Sequence, residues 1–264
     1  MSTLLQISDP HFGTEQAPVV EALVALAKAE RPDLVVLSGD ITQRATAKQF
    51  EAARAFVDRL GAPCLAIPGN HDIPLFDIAA RVFAPYARFS KVFGNQLEPE
   101  HESADLLVLG VNTTRPWRHK DGEVSAAQIE RVARRLQKAR TEQLRVVVVH
   151  QPIEVLRSED VHDRLHGHAD AQKAWAAAGA DLVLGGHIHL PFAAPLPGLA
   201  REMWVVQAGT AVSSRVRDGQ PNSVNVVRWD DRVAAKRCRV ERWDFDAARQ
   251  VFDRVVQHSL EPAR

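Results

Sequence analysis

Six short runs in this chain are apolar almost from end to end: TLLQIS (3–8), DLVVLSGD (33–40), PCLAIPGNHD (63–72), DLLVLGVN (105–112), LRVVVVH (144–150) and DLVLGG (181–186). A strand with one wet face alternates polar and apolar residues. Runs without alternation are buried on both faces, as in parallel sheets covered by helices. The segments between the runs supply those helices. Val19, Val20, Leu23, Val24 and Leu26 recur at helical spacing over 18–30, and Phe50, Ala53, Phe56, Val57 and Leu60 do so over 46–60, with Gly61 as the stop. A third helix is predicted over 126–140, where Ser125 and Gln128 have the spacing of a capping box, and a short one over 170–178.

Two segments break this rhythm. Between 73 and 104, Phe76, Phe83, Tyr86, Phe89 and Phe93 are interspersed with Pro74, Pro85 and Pro99, which predicts a cap-like insertion of helical turns over the sheet edge. Beyond residue 200, EMWVVQAG (202–209), SVNVVRW (223–229) and AAKRCRVERW (234–243) are separated by turn-like RDGQPN and DDR, the pattern of an antiparallel meander. With no repeat or linker, residues 1–264 read as one α/β domain with a β-rich C-terminal half at about 200–245.

Composition narrows the function classes. Lys+Arg and Asp+Glu are both 33, so the formal net charge is zero, and no stable nucleic-acid binding is expected. Cys64 and Cys238 lie far apart in apolar stretches and read as free thiols. MSTLLQISDPHFG has neither the basic nor the apolar region of a secretory signal, and no apolar run approaches the ~20 residues of a membrane span, so a cytoplasmic location is expected.

The ends of the runs carry the chemistry. The first ends in Asp9 and His11, the second in Asp40, the third in Asn70, His71 and Asp72, the fifth in His150 and the sixth in His187 and His189. Ligand sites of parallel sheets form at the carboxyl ends of strands, so residues 180 positions apart converge on one edge. If the backbone stays extended, His187 and His189 face the same side. Carboxylates, imidazoles and one amide without thiolate suit Mn, Fe or Zn. So many donors are too many for one ion, whereas two ions about 3.5–4 Å apart sharing a carboxylate would use them. Glycines beside them (Gly39, Gly69, Gly185, Gly186) allow close backbone approach to a bound group.

The blocks DPH (9–11), GD (39–40), GNHD (69–72), His150 and GHIH (186–189), in this order, resemble the calcineurin-like metallophosphoesterases, in particular their cyclic-nucleotide phosphodiesterase-like (class III) branch. The resemblance implies a double β-sheet sandwich flanked by helices, with strands 202–243 building much of the second sheet. It also implies that Asp9, His11 and His189 hold one metal, Asn70, His150 and His187 the other, and that Asp40 bridges them. His71 would be the non-ligand histidine that acts on the leaving oxygen, oriented by Asp72. The activity implied is hydrolysis of small phosphodiesters by a metal-bridging hydroxide. Phosphomonoester or nucleotide-lipid pyrophosphate hydrolysis are the alternatives within enzymes, and an inactive scaffold is the alternative outside them. The ligand set is complete, which argues against the scaffold.

Weaker candidates lie on loops. Asn112 and Arg115 (in NTTRPWRHKDG, 112–122) and His168 (in DVHDRLHGHAD, 160–170) are candidate substrate contacts, and His162 and His166 are an i, i+4 pair. The 208–222 loop offers Thr210 or Arg215, and the 76–93 aromatics a roof over the pocket. The expected partner is a small-molecule phosphoester, with a homo-oligomer possible.

Overall fold

A computed structural model of the chain describes residues 1–230 and 237–262. Each early apolar run becomes a strand whose successive side chains enter two different cores. In β1 (Ser2–Ile7), Leu4 faces the space between two sheets while Leu5 and Ile7 face the helices α1 (Ala17–Glu30) and α2 (Ala47–Asp58). In β2 (Leu34–Ser38), Leu34 and Val36 repeat the first role, Val35 and Leu37 the second. That double burial is why these strands do not alternate. β3 (Cys64–Ile67) pairs parallel to β2.

Residues 73–104 hold α3 (Ile78–Phe83), α4 (Ala87–Phe93) and β4 (Glu100–Glu102). The expectation of turns lying outside the sheet is corrected at one point, because β4 pairs antiparallel with β5 (Leu106–Gly110) and becomes a sheet edge. Then follow α5 (Ala126–Leu136), whose Ser125–Gln128 capping box is formed, β6 (Leu144–Val148), α6 (His168–Ala177) and β7 (Leu182–Gly185). Five more strands follow among the described residues: β8 (Phe192–Pro195), β9 (Trp204–Gln207), β10 (Ser223–Asp230), β11 (Arg237–Asp246) and β12 (Val251–Leu260). β8 and β12 carry no strong alternation and went unread in the sequence. Positions 231–236, which include the predicted turn and the start of the third C-terminal strand, lie outside the described residues.

One sheet has the order β12-β11-β10-β1-β2-β3, the other β4-β5-β6-β7-β9-β8. Both are mixed. Three cores result: one between the first sheet and α1 and α2, one between the second sheet and α5 and α6, and one between the sheets. The fold is therefore a double β-sheet sandwich flanked by helices. The C-terminal strands are placed differently from the expectation. β10, β11 and β12 extend the first sheet beside β1, and of the strands expected over 202–243 β9 alone joins the second, parallel to β7. The reason is register: β10 runs antiparallel along β1 from Ser2↔Trp229 to Gln6↔Asn225, and so closes its open edge.

Polar groups between the sheets hold their carboxyl ends together. Gln6 donates to Ser38 Oγ (3.2 Å) and to the Gly185 carbonyl (2.9 Å), and its own oxygen accepts from Asn225 (2.9 Å). One buried amide thus ties β1 to β2, β7 and β10, and fixes the two sheets relative to each other where the donors lie. Among the described residues no helix is long and apolar enough to cross a membrane.

Candidate metal centre and cleft

Asp9, His11, Asp40, Asn70 and His71 follow strands of the first sheet, and His150, His187 and His189 follow strands of the second. They meet across the top of the sandwich. His189 Nε2 lies 3.2 Å from Asp9 Oδ1 and 3.2 Å from His11 Nε2. His11 Nε2 lies 3.8 Å from Asp40 Oδ2, and His150 Nε2 lies 3.3 Å from Asp40 Oδ1 and 3.2 Å from Asn70 Oδ1. Asp40 therefore stands between two donor groups, Asp9–His11–His189 and Asp40–His150–His187, each with donor atoms within 4.8 Å of one another. A third, overlapping group contains His71 with His11 and Asp40. Both ring nitrogens of His71 are engaged elsewhere, by the Gln43 carbonyl and by Arg215.

The backbone is strained where the donors sit. Asp9 (φ 51°), His11 (43°), Asp40 (48°), His187 (73°) and His189 (56°) all occupy the left-handed region. Each costs roughly 1–3 kcal/mol and persists only because the surroundings over-determine it. This corrects the expectation of an extended GHIH segment: β7 ends at Gly185, and the two histidines leave it in turns. They diverge, His189 toward Asp9 and His187 toward His150, with ring centroids 5.2 Å apart in the latter pair. The glycines serve a different purpose from contact with substrate. A Cβ on Gly69 would meet the Asp40 backbone, and one on Gly186 would fall 2.5 Å from Asp9 Oδ2, so they make room for the donor carboxylates.

Burial and charge act against each other here. Burial disfavours ionisation of Asp9, but the neighbouring His189 and His150 outweigh it and hold the carboxyl well below its usual range. Asp40 behaves alike, burial being outweighed by His150 and His71. Burial lowers the His150 imidazole, yet Asp40 and Asp9 push it up to about 9, and Asp9 raises His189 in the same way. His11 falls to about 3, because burial wins over the two carboxylates. His150 Nδ1 is 2.9 Å from the Ser38 carbonyl, which fixes Nδ1–H as the donor and turns Nε2 to the centre. Among the described residues, Asp9 Oδ1 and the Nδ1 atoms of His11 and His187 are buried and have no hydrogen-bond partner. Two ionised carboxylates, imidazoles and an orphaned buried oxygen fit a cation pair of the nitrogen- and oxygen-liking class.

Asp72 differs from the expectation. Its carboxylate accepts from the amides of Ile41 (3.0 Å), Thr42 (2.8 Å) and Gly69 (2.9 Å) and from Thr42 Oγ1 (2.8 Å), and it makes no hydrogen bond to the His71 ring. It pins the Asp40 and Asn70 loops together. Burial, then the Asp40 charge, lifts it to about 6 against the pull of those amides. His71 is oriented instead by the Gln43 carbonyl at Nδ1 (3.1 Å) and Arg215 Nη1 at Nε2 (3.2 Å). A carbonyl only accepts and a guanidinium only donates, so the proton sits on Nδ1 and Nε2 accepts.

Above the donors lies a cleft of about 600 Å³, whose wall includes Arg44, His119, Lys120, Asp160, Asp163, Arg215 and Arg217. Arg115, Asn112 and His168 are not on it. Arg115 turns the other way, donating to the Asn112 and Thr114 carbonyls and to Gln128, and it lines a separate hollow with Asn112 and Glu98. His168 opens α6, half-buried. His162 and His166 do not form a pair on one helix: the first closes a 3-10 turn (Ser158–Asp163), and the second lies beyond it. Of the 208–222 residues, Arg215 reaches the cleft while Thr210 holds its carbonyl (2.8 Å). The aromatic stretch splits, Phe89 being fully buried and Phe76 and Phe83 exposed. Asp163 was missed in the sequence; it lies 3.7 Å from His187 Nε2, and that contact brings its carboxyl down to about 2. Only its position in a histidine-rich loop marked it.

The calcineurin-like phosphoesterase family profile matches residues 2–191. A probable cyclic nucleotide phosphodiesterase of Synechococcus sp. is 27% identical over 208 residues, 72% of this chain and 74% of that protein. A glycerophosphodiester phosphodiesterase of Enterobacter lignolyticus is 39% identical over 82 residues, 26% of this chain and 29% of that protein. The crystal structure of a dimetal phosphatase from Danio rerio superimposes with a TM-score of 0.71 over 99% of both chains, at 12% identity, a likeness of fold. The chain belongs to the calcineurin-like phosphoesterase family. It is, as such, a metal-dependent phosphoester hydrolase.

Proposed function

We propose that the chain hydrolyses small phosphodiesters at a dinuclear centre. Asp9, His11 and His189 would hold one ion, Asn70, His150 and His187 the other, and Asp40 would serve both. The observation that carries this reading is the place of Asp40, with one oxygen toward His11 and the other toward His150. The donor set suits Mn, Fe or Zn, and when bound such ions supply Lewis acidity toward a phosphoryl oxygen and lower the pKa of a coordinated water. Two carboxylates against two divalent charges leave the centre net positive, which favours an anionic substrate.

The chain's own groups do the rest. Arg44 and Arg215 have no carboxylate partner among the described residues and are free to bind phosphoryl oxygens on the His71 side. When Arg215 moves onto substrate, the Nε2 lone pair of His71 is released to take up a proton from solvent and pass it to the leaving oxygen, while the Gln43 carbonyl keeps the ring aligned through Nδ1–H. A cleft of about 600 Å³ has room for two organic substituents around the phosphorus, and Asp160 and Asp163 on its other wall oppose a dianionic monoester. Both of these favour diesters, and the names of the relatives point the same way.

The test is a panel with Mn²⁺: bis-p-nitrophenyl phosphate, p-nitrophenyl phosphate, a 3′,5′-cyclic nucleotide and a nucleotide diphospho-lipid. We expect kcat/KM for the diesters to exceed that for the monoester by about tenfold or more. A monoester preference would overturn the diesterase reading, and no turnover of any compound would overturn the hydrolytic one.

A further inference from the structure

β8 ends the second sheet and β12 the first, and between these two edges lies a hollow of about 190 Å³. Its lining shares no residue with the cleft above the metal donors. Pro191, Ala193, Val240 and Val256 give it apolar walls, and Arg242 and His258 are polar residues on it. Asn225 also borders it but spends its amide on Gln6 (2.9 Å) and the Gln207 carbonyl (3.4 Å). The pleat decides which way Arg242 points. Val240 belongs to the core between the sheets, and Arg242, two residues on in β11, shares its face. The partners of Arg242 in register, Asn225 on β10 and Val256 on β12, line the same hollow.

We propose that this hollow binds a small apolar carboxylate of about one ring's size, its body between the sheets and its charge on Arg242. Protein interiors leave few voids larger than a water molecule, so a space of this size between two packed sheets has room for an occupant. Dry apolar cavities of about 150 Å³ take up benzene, which sets the scale of the ligand. The charge follows from Arg242. A guanidinium carries five N–H donors, and among the described residues this one makes a single hydrogen bond, from Nη2 to Asp244 Oδ2 (3.0 Å). Its side chain keeps 27% of its surface exposed, and no carboxylate is among the described residues that line the hollow. A carboxylate presents two oxygens in the plane that a guanidinium fork recognises. Trp204 packs on the His258 ring, with centroids 5.9 Å apart, and so holds that wall in place.

Benzoate and its neutral counterpart benzamide test the site by methyl NMR of the Zn²⁺-loaded full chain. The Ala193 methyl is the reporter, so any benzoate taken up at the metal centre is told apart from benzoate in the hollow. Benzoate should shift that methyl with a Kd of about 0.1–1 mM, and benzamide should bind about tenfold more weakly or worse. Arg242→Gln removes the charge and should weaken benzoate by about tenfold or more. Val256→Phe fills the hollow from β12 while keeping Arg242, and should abolish the Ala193 shift. If Arg242→Gln folds poorly by circular dichroism, the ratio of benzoate to benzamide affinity in the wild type decides the part played by charge. No shift at Ala193 up to about 20 mM benzoate overturns the proposal. So does equal affinity for benzamide, or a Kd unchanged by Val256→Phe. None of these readouts depends on turnover, so the diesterase reading stands or falls separately.

Discussion

Asp9, His11, Asp40 and His150 on the floor of the cleft are buried, ionically opposed and seated on strained or backbone-anchored segments, whereas Lys120 and Arg217 at its mouth rest in ion pairs that reach solvent. The floor is dictated by two sheets that Gln6 locks together. The mouth is made of three loops joined by pairs such as Arg217–Glu159 and Lys120–Asp163, and water screens such exposed contacts, so they hold the loops only weakly. Chemistry is assigned to the stiff part and selectivity to the adjustable part. Substitutions in the two should therefore fail differently: at the floor by losing metal or turnover outright, at the mouth by changing which substrate is turned over.

The largest effect is expected at Asp40. Asp40→Ala removes the group common to both donor clusters and should lower turnover by roughly 10³-fold, with metal loss seen by mass spectrometry. His71→Ala should lower kcat by about 10²–10⁴-fold with metal content intact. Loss of metal in that variant would make His71 a ligand and erase its separation from the donor set.

Next comes Asp163, which stands at the seam between floor and mouth because it backs His187. Asp163→Ala should weaken metal binding by about 10–100-fold, measured by competition with a chelator. Acid should also oppose metal. The Nε2 of His150 must give up its proton to bind a cation, and Asp40 and Asp9 hold that proton up to pH about 9 in the metal-free chain. Apparent affinity should rise with pH up to about 9, and calorimetry at pH 7 in buffers of different ionisation enthalpy should show protons released on metal uptake. Uptake without proton release would mean that His150 is not a ligand. The smallest effect belongs to Arg115, tied to Gln128 and facing away from the cleft. Arg115→Ala should leave kcat/KM within about twofold while costing some stability.

These contrasts follow what could be read from residues alone. The floor was legible because Asp9, Asp40, Asn70, His150 and His189 stand just past buried strands, and a strand end has only one place to be. The mouth was not. Arg217 meets Asp160 across 57 residues and Lys120 meets Asp163 across 43, and no local pattern announces such contacts. Arg115 misled because its loop follows a strand of the same sheet but is drawn aside by Gln128 and the Asn112 carbonyl. Asp72 misled for the opposite reason: adjacent to His71 in sequence, it spends its carboxylate on the amides of Ile41, Thr42 and Gly69. Left-handed Asp and His residues leave no composition signal either, since glycine is what normally marks that conformation. In the C-terminal third, β9, β10 and β11 were visible but their sheets were not, because pairing of β10 with β1 is a long-range choice of edge.

The central claim is that the floor binds two cations with Asp40 between them. Native mass spectrometry of the chain reconstituted with Mn²⁺ tests it most directly, read beside Asp40→Ala prepared identically. The account predicts about two ions per wild-type chain and none retained in the variant; a single ion in the wild type, or two surviving without Asp40, would contradict it.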